Sequence, residues 1–91
     1  MKSLTVRITG RVQGVGFRAW TESAARSRGL SGWVRNRRDG SVEALIAGPD
    51  DQVNEMLAYF WQGPDACRVA RVTAEPAPEP MQLGFRQLPT A

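Results

Sequence analysis

The strongest constraint on this chain is a change of hydrophobic period that occurs twice along its length. Residues 3–9, SLTVRIT, set Leu4, Val6 and Ile8 against Thr5, Arg7 and Thr9, the period of two that marks a strand with one buried face. Between Arg18 and Arg28 the spacing becomes helical: Phe17, Trp20, Thr21 and Ala24 share one stripe, and neither Gly nor Pro intervenes before Gly29. Gly29 reads as the C-cap, with Leu30 as its hydrophobic contact. Strands follow at 32–36 and 41–48, on either side of the turn-forming Arg37-Arg38-Asp39-Gly40.

A second helix is predicted after Gly48-Pro49. Asp50 and Asp51 stand at its positive end, Val53, Met56, Leu57 and Phe60 form its apolar stripe, and it stops near Gln62-Gly63-Pro64. Residues 67–75 read as a fourth strand, 75–80 as a proline-stiffened extended connector, and 84–88 as a short edge strand. The order β-α-β-β-α-β predicts an α+β fold, a ferredoxin-like sandwich in which two helices cover one face of an antiparallel sheet. With 91 residues the chain is expected to form a single domain over 1–91.

Composition removes whole classes of chemistry. There is no histidine, so Ser-His-Asp and Cys-His sites, phosphohistidine intermediates and the usual zinc constellations are absent, and no metal or other cofactor is expected. Cys67 is the only cysteine and reads as a small buried hydrophobe. It is not a phosphatase nucleophile, because the position six residues on is Thr73 where such a site needs arginine. No apolar run is long enough to span a bilayer and MKSLTVRITG lacks the pattern of a signal peptide, so a cytoplasmic chain with no membrane partner is expected. The formal net charge of +3 favours an anionic ligand.

The stretch GRVQGVGFR, 10–18, joins the first strand to the first helix. Glycines there let consecutive backbone N–H groups point at one spot, and the helix N-terminus adds its dipole, a combination that favours an anion. The spacing matches neither the dinucleotide nor the ATP-type phosphate loop, and its shortness fits one phosphate-sized group. The same glycines would equally serve a plain turn. Arg18 tilts this balance, since its planar fork can take two phosphate oxygens at once.

In a right-handed β-α-β unit the first two strands run parallel, so Asn36, at the end of the second strand, is expected beside the glycine loop. Alternation puts Val34 and Asn36 on the helix-facing side and Trp33, Arg35 and Arg37 on the other. An asparagine amide there could hold a water in line with a bound phosphate, or simply cap the following turn. Trp20, Trp33 and Trp61 are expected to pack, and Lys2 and Glu43 have no predicted partner.

These residues resemble the acylphosphatase family. The resemblance rests on GRVQGVGFR at 10–18 and GLSGWVRNRRDGSVEALIAG at 29–48, with weaker matches at GPDACRV and GFR, and spans Leu4 to Arg86. It implies metal-free hydrolysis of a small-molecule acyl phosphate to carboxylate and inorganic phosphate; the length of the chain favours a free-standing enzyme, and a monomer is expected. By motif match, Arg18 would be the phosphate-binding arginine and Asn36 the water-positioning asparagine. The amides of Gln13, Gly14, Val15, Gly16 and Phe17 would complete the phosphate cradle. The pattern departs at Gln87, where the family's last strand usually carries an apolar residue, and around Met81-Gln82-Leu83; both are expected to lie away from the site.

Two other classes of function compete. RNA-recognition domains share this architecture and Arg35, Arg37 and Arg38 could line a basic face, but no exposed aromatic pair stands on strands one and three, so no nucleic-acid partner is expected. An idle binding module, or the acylphosphatase-like part of larger carbamoyl-transfer proteins, would keep the fold without this role.

Overall fold

The computed structural model describes all 91 residues, Met1–Ala91. Its elements are β1 (Lys2–Arg11), α1 (Phe17–Ser27), β2 (Ser31–Asn36), β3 (Val42–Gly48), α2 (Asp50–Phe60), β4 (Arg68–Pro76) and β5 (Phe85–Gln87). They build one five-stranded sheet in the order β4-β1-β3-β2-β5. The first four strands pair antiparallel, as the sequence predicts. The fifth pairs parallel with β2, Gly32 to Phe85 through Val34 to Gln87, so the sheet is mixed. β4 also runs one residue into the proline-rich connector, with Pro76 opposite Leu4; on an edge strand a missing N–H is tolerated.

The two periods of the sequence meet in one core. Leu4, Val6 and Ile8 of β1, Val34 of β2 and Val42, Ala44 and Ile46 of β3 pack with Phe17, Ala24 and Ala25 of α1 and Val53, Met56 and Phe60 of α2. Each large apolar side chain buried there is worth about 1.5–3 kcal/mol. The helix-facing side of the sheet is therefore defined by alternate residues, and Asn36, two residues beyond the fully buried Val34, lies on that side.

Both helix ends follow local chemistry. At the C-terminus of α1 the Leu30 N–H donates to the Ala25 carbonyl at 3.0 Å and the Gly29 N–H to that of Arg26 at 3.1 Å, while Gly29 takes φ +68° and Leu30 is buried. This is the glycine cap expected from the sequence. Asp50 and Asp51 occupy the first turn of α2, where the helix dipole favours carboxylates. Of the three tryptophans, Trp20 stacks on Tyr59 with ring centroids 4.6 Å apart, and Trp33 lies under the guanidinium of Arg35 at 4.7 Å. Trp61 is the exception to the packing expectation: it follows the last residue of α2 and is 54% exposed.

Candidate active site

Three elements of the fold converge at the end of β1. The strand enters the loop through Gly10 (φ +121°), at a bulge in its pairing with β4. A Cβ at Gly10 would run into the β4 backbone, with Ala70 N at 2.7 Å, so this glycine serves close approach between strands. Gly14 and Gly16 differ: both have positive φ, +74° and +78°, and open space where a Cβ would project. They shape the loop and leave its upper side free.

Gly16 is the N-cap of α1 and supplies no side-chain cap, and the first turn of the helix carries no acidic residue. The first helical bond runs from the Trp20 N–H to the Gly16 carbonyl at 3.0 Å. The N–H groups of Phe17, Arg18 and Ala19 therefore have no partner within the helix, and the dipole at this end is unopposed. Phe17, 2% exposed and stacked parallel to Phe60 at 6.3 Å, fixes the helix start in the core. Truncating it to alanine would cost about 3–5 kcal/mol.

Over this helix end lies a cavity of about 160 Å³, walled by Val12, Gln13, Gly14, Gly16, Phe17, Arg18, Ala19, Asn36 and Gln87. Of the residues predicted from the sequence, it gathers Arg18, Asn36, Gln13, Gly14, Gly16 and Phe17. Val15 is not on the wall; its side chain packs against the core. Arg18 is half-buried and takes part in none of the protein's ion pairs. A guanidinium held beside uncapped N–H groups without a carboxylate is electrostatically incomplete.

Gln13 contributes more than its backbone. Its Nε2 donates to the carbonyls of Arg37 at 2.7 Å and Ser41 at 2.8 Å, tying the loop to the base of the β2–β3 hairpin. Gln87, expected to lie away from the site, stands on the cavity wall. Its Nε2 donates to Glu22 Oε1 at 3.0 Å, and Glu22 in turn pairs with Arg26 at 3.1 Å. Parallel pairing of β5 with β2 carries Gln87 to the site, and no periodicity in so short a strand could have announced it. A wider groove of about 510 Å³ runs between the C-terminal end of α1 and β5, but its guanidinium groups are already engaged, Arg26 with Glu22 and Arg86 with Gln82.

Three arginines of the outer sheet face are also engaged. Glu43 accepts Arg35 at 2.8 Å and Arg37 at 3.2 Å and lies 3.7 Å from Arg7, so the carboxylate that lacked a predicted partner has three. Lys2 bonds Asn54 Oδ1 at 2.9 Å. Cys67 is half-buried against the core, and desolvation pushes its thiol pKa up, away from nucleophilic use. No three His, Cys, Asp or Glu side chains gather where they could hold a metal ion.

A family model described as acylphosphatase matches residues 4–87. The chain belongs to the acylphosphatase family. It is similar to the acylphosphatase of Rhizobium meliloti, 59% identical over 76 residues that cover 84% of this chain and 80% of that one. It is also similar to the acylphosphatase of Rhodospirillum rubrum, 50% identical over 90 residues and 99% of both chains. The crystal structure of acylphosphatase from Bacillus subtilis superposes with a TM-score of 0.91 at 31% identity, covering 97% of this chain and 99% of that chain. Membership of the acylphosphatase family makes the chain a hydrolase acting on acyl phosphates.

Proposed function

We propose that Arg18 and the amides of Gln13, Gly14, Val15, Gly16 and Phe17 hold the phosphoryl group of an acyl phosphate, and that Asn36 positions the attacking water. The observation that carries this reading is the unpaired Arg18 guanidinium beside an uncapped helix N-terminus, on a cavity that Asn36 also lines. Fork and amides together offer donors on several sides of one tetrahedral anion.

The chemistry follows from what these groups can do. An acyl phosphate carries a good leaving group, so positioning and neutralisation of charge on the transferring phosphoryl group are sufficient. The water oxygen bonds to phosphorus as the bond from phosphorus to the acyl oxygen breaks. The carboxylate leaves with that bonding pair, and a phosphoryl oxygen of the substrate takes a proton from the water. Asn36 donates and accepts without changing protonation state, and Arg18 stays charged throughout. Neither a metal nor a nucleic acid has a part in this scheme.

We extend the reading to a single domain over residues 1–91 that works as a monomer in the cytoplasm. It is supported by one shared core and by the lack of any helix long and apolar enough to cross a membrane. The test is phosphate release from an aromatic acyl phosphate, with and without a chelator, in wild type and Arg18→Ala. Chelator-resistant turnover that disappears in the variant is expected. Turnover that the chelator abolishes, or that survives in Arg18→Ala, would overturn the assignment.

A further inference from the structure

The proposed site is split between two parts of the chain. The phosphate cradle belongs to the loop and the start of α1, whereas Asn36 ends β2, and in-line attack needs the two in register to a fraction of an ångström. Between them stands the side chain of Gln13. Both protons of its Nε2 are committed, one to the Arg37 carbonyl at 2.7 Å and one to the Ser41 carbonyl at 2.8 Å. Arg37 is the residue next to Asn36, and Ser41 closes the same hairpin, its carbonyl accepting the Arg37 N–H at 2.8 Å.

Resting on the function proposed above, we infer that Gln13 is a positioning residue: its side-chain amide sets the distance between the bound phosphoryl group and the water held by Asn36. The hairpin does not require Gln13 for its own cohesion. The Arg37 carbonyl also accepts the Gly40 N–H at 3.1 Å, and Ser41 closes onto Asp39 through both its N–H and its hydroxyl, at 2.9 and 2.6 Å. Both carbonyls thus keep a partner when the amide is removed, and the hairpin persists. What is lost is the only side-chain hydrogen bonding from the loop to this hairpin, and with it the register of the two halves.

Gln13→Met, of similar length without donors, is the sharpest variant, and Gln13→Ala covers the case in which the thioether does not fit. Three quantities are measured on each: kcat and KM for an aromatic acyl phosphate, competitive inhibition by inorganic phosphate, and the effect of the same change in an Asn36→Ala background. kcat is expected to fall about 10- to 100-fold, the loss expected when reacting groups drift by around an ångström. Inhibition by phosphate should stay within about twofold, because the cradle and Arg18 are untouched, and the added loss in the Asn36→Ala background should vanish, because Gln13 acts through Asn36.

Weakened phosphate inhibition at unchanged kcat would assign the Gln13 side chain to phosphate binding and overturn the inference. So would wild-type kcat, or a multiplicative loss in the double variant. Should Asn36→Ala alone turn over like wild type, the water-holding role itself falls, a result read from the single variant and distinct from failure of the Gln13 inference.

Discussion

Arginines at two places on this fold are treated in opposite ways. On the outer face Arg7, Arg35 and Arg37 surround Glu43, whose side chain is only 13% exposed, and their charge is consumed within the fold. Beyond the end of β1, Arg18 has no carboxylate partner, and the helix start beneath it has neither a side-chain cap nor an acidic residue. The contrast separates arginines that stabilise from an arginine available to a ligand. Arg35 and Arg37, which could line a basic face by sequence, are each bonded to Glu43.

Four changes would break or sharpen this contrast. The largest effect is expected from Arg18→Ala, which should lower kcat/KM at least about 100- to 1,000-fold, the usual cost of deleting a preorganised donor to a transferring group. Its thermal midpoint should match wild type, because no ion pair is lost, and a large drop would show that Arg18 is structural after all. Next, Asn36→Ala should lower kcat about 10- to 100-fold with KM little changed, since it removes orientation and leaves charge in place. An increase in KM at constant kcat would assign Asn36 to binding.

Glu43→Ala probes the other cluster. Removing the shared carboxylate leaves three guanidinium groups close together, and a loss of about 1–3 kcal/mol in denaturant unfolding is expected, with kcat within about threefold of wild type. Unchanged stability would mean that these pairs contribute nothing. The smallest effect concerns Asp39. Hydrogen bonds from the Ser41 hydroxyl and N–H, with help from Arg7 and Arg37, hold its pKa below the ordinary 3.8. A carboxylate whose pKa is lowered by folding contributes stability above its unfolded value, and that contribution disappears as pH falls through the folded one. Wild type should therefore lose stability below pH 3.8 slightly more steeply than Asp39→Asn, and equal slopes would remove Asp39 from the acid response.

How much of this was legible in the sequence depended on whether a feature is local or lies between strands. The period of two in β1, the helical stripe of α2 and the glycine cap at Gly29 are local, and all three stand in the structure as read. The position of Asn36 beside the loop is legible because handedness makes β1 and β2 parallel, a rule that needs no register. The partners of Glu43 are not legible, because register sets them: Arg7 lies opposite it on β1 and Arg35 opposite it on β2. The place of Gln87 is hidden for a related reason, since three residues of β5 show no period and the parallel pairing with β2 alone brings them to the cavity. The two carbonyl partners of Gln13 lie 24 and 28 residues away, beyond any local pattern.

The edges of the sheet carry one more consequence. A bare edge strand offers unpaired N–H and C=O groups on which a second molecule can build. On one side that edge is β4, which sets the exposed Arg68 and Arg71 along its length and ends in a proline with no N–H to give. On the other, β5 is only three residues long, and the segment after it keeps to β2, the Leu88 N–H donating to Val34 at 2.9 Å and the Ala91 N–H to Asn36 at 3.0 Å. Charge and proline on one border, brevity and an overlying tail on the other, leave little room for the strand-by-strand stacking that starts fibrils.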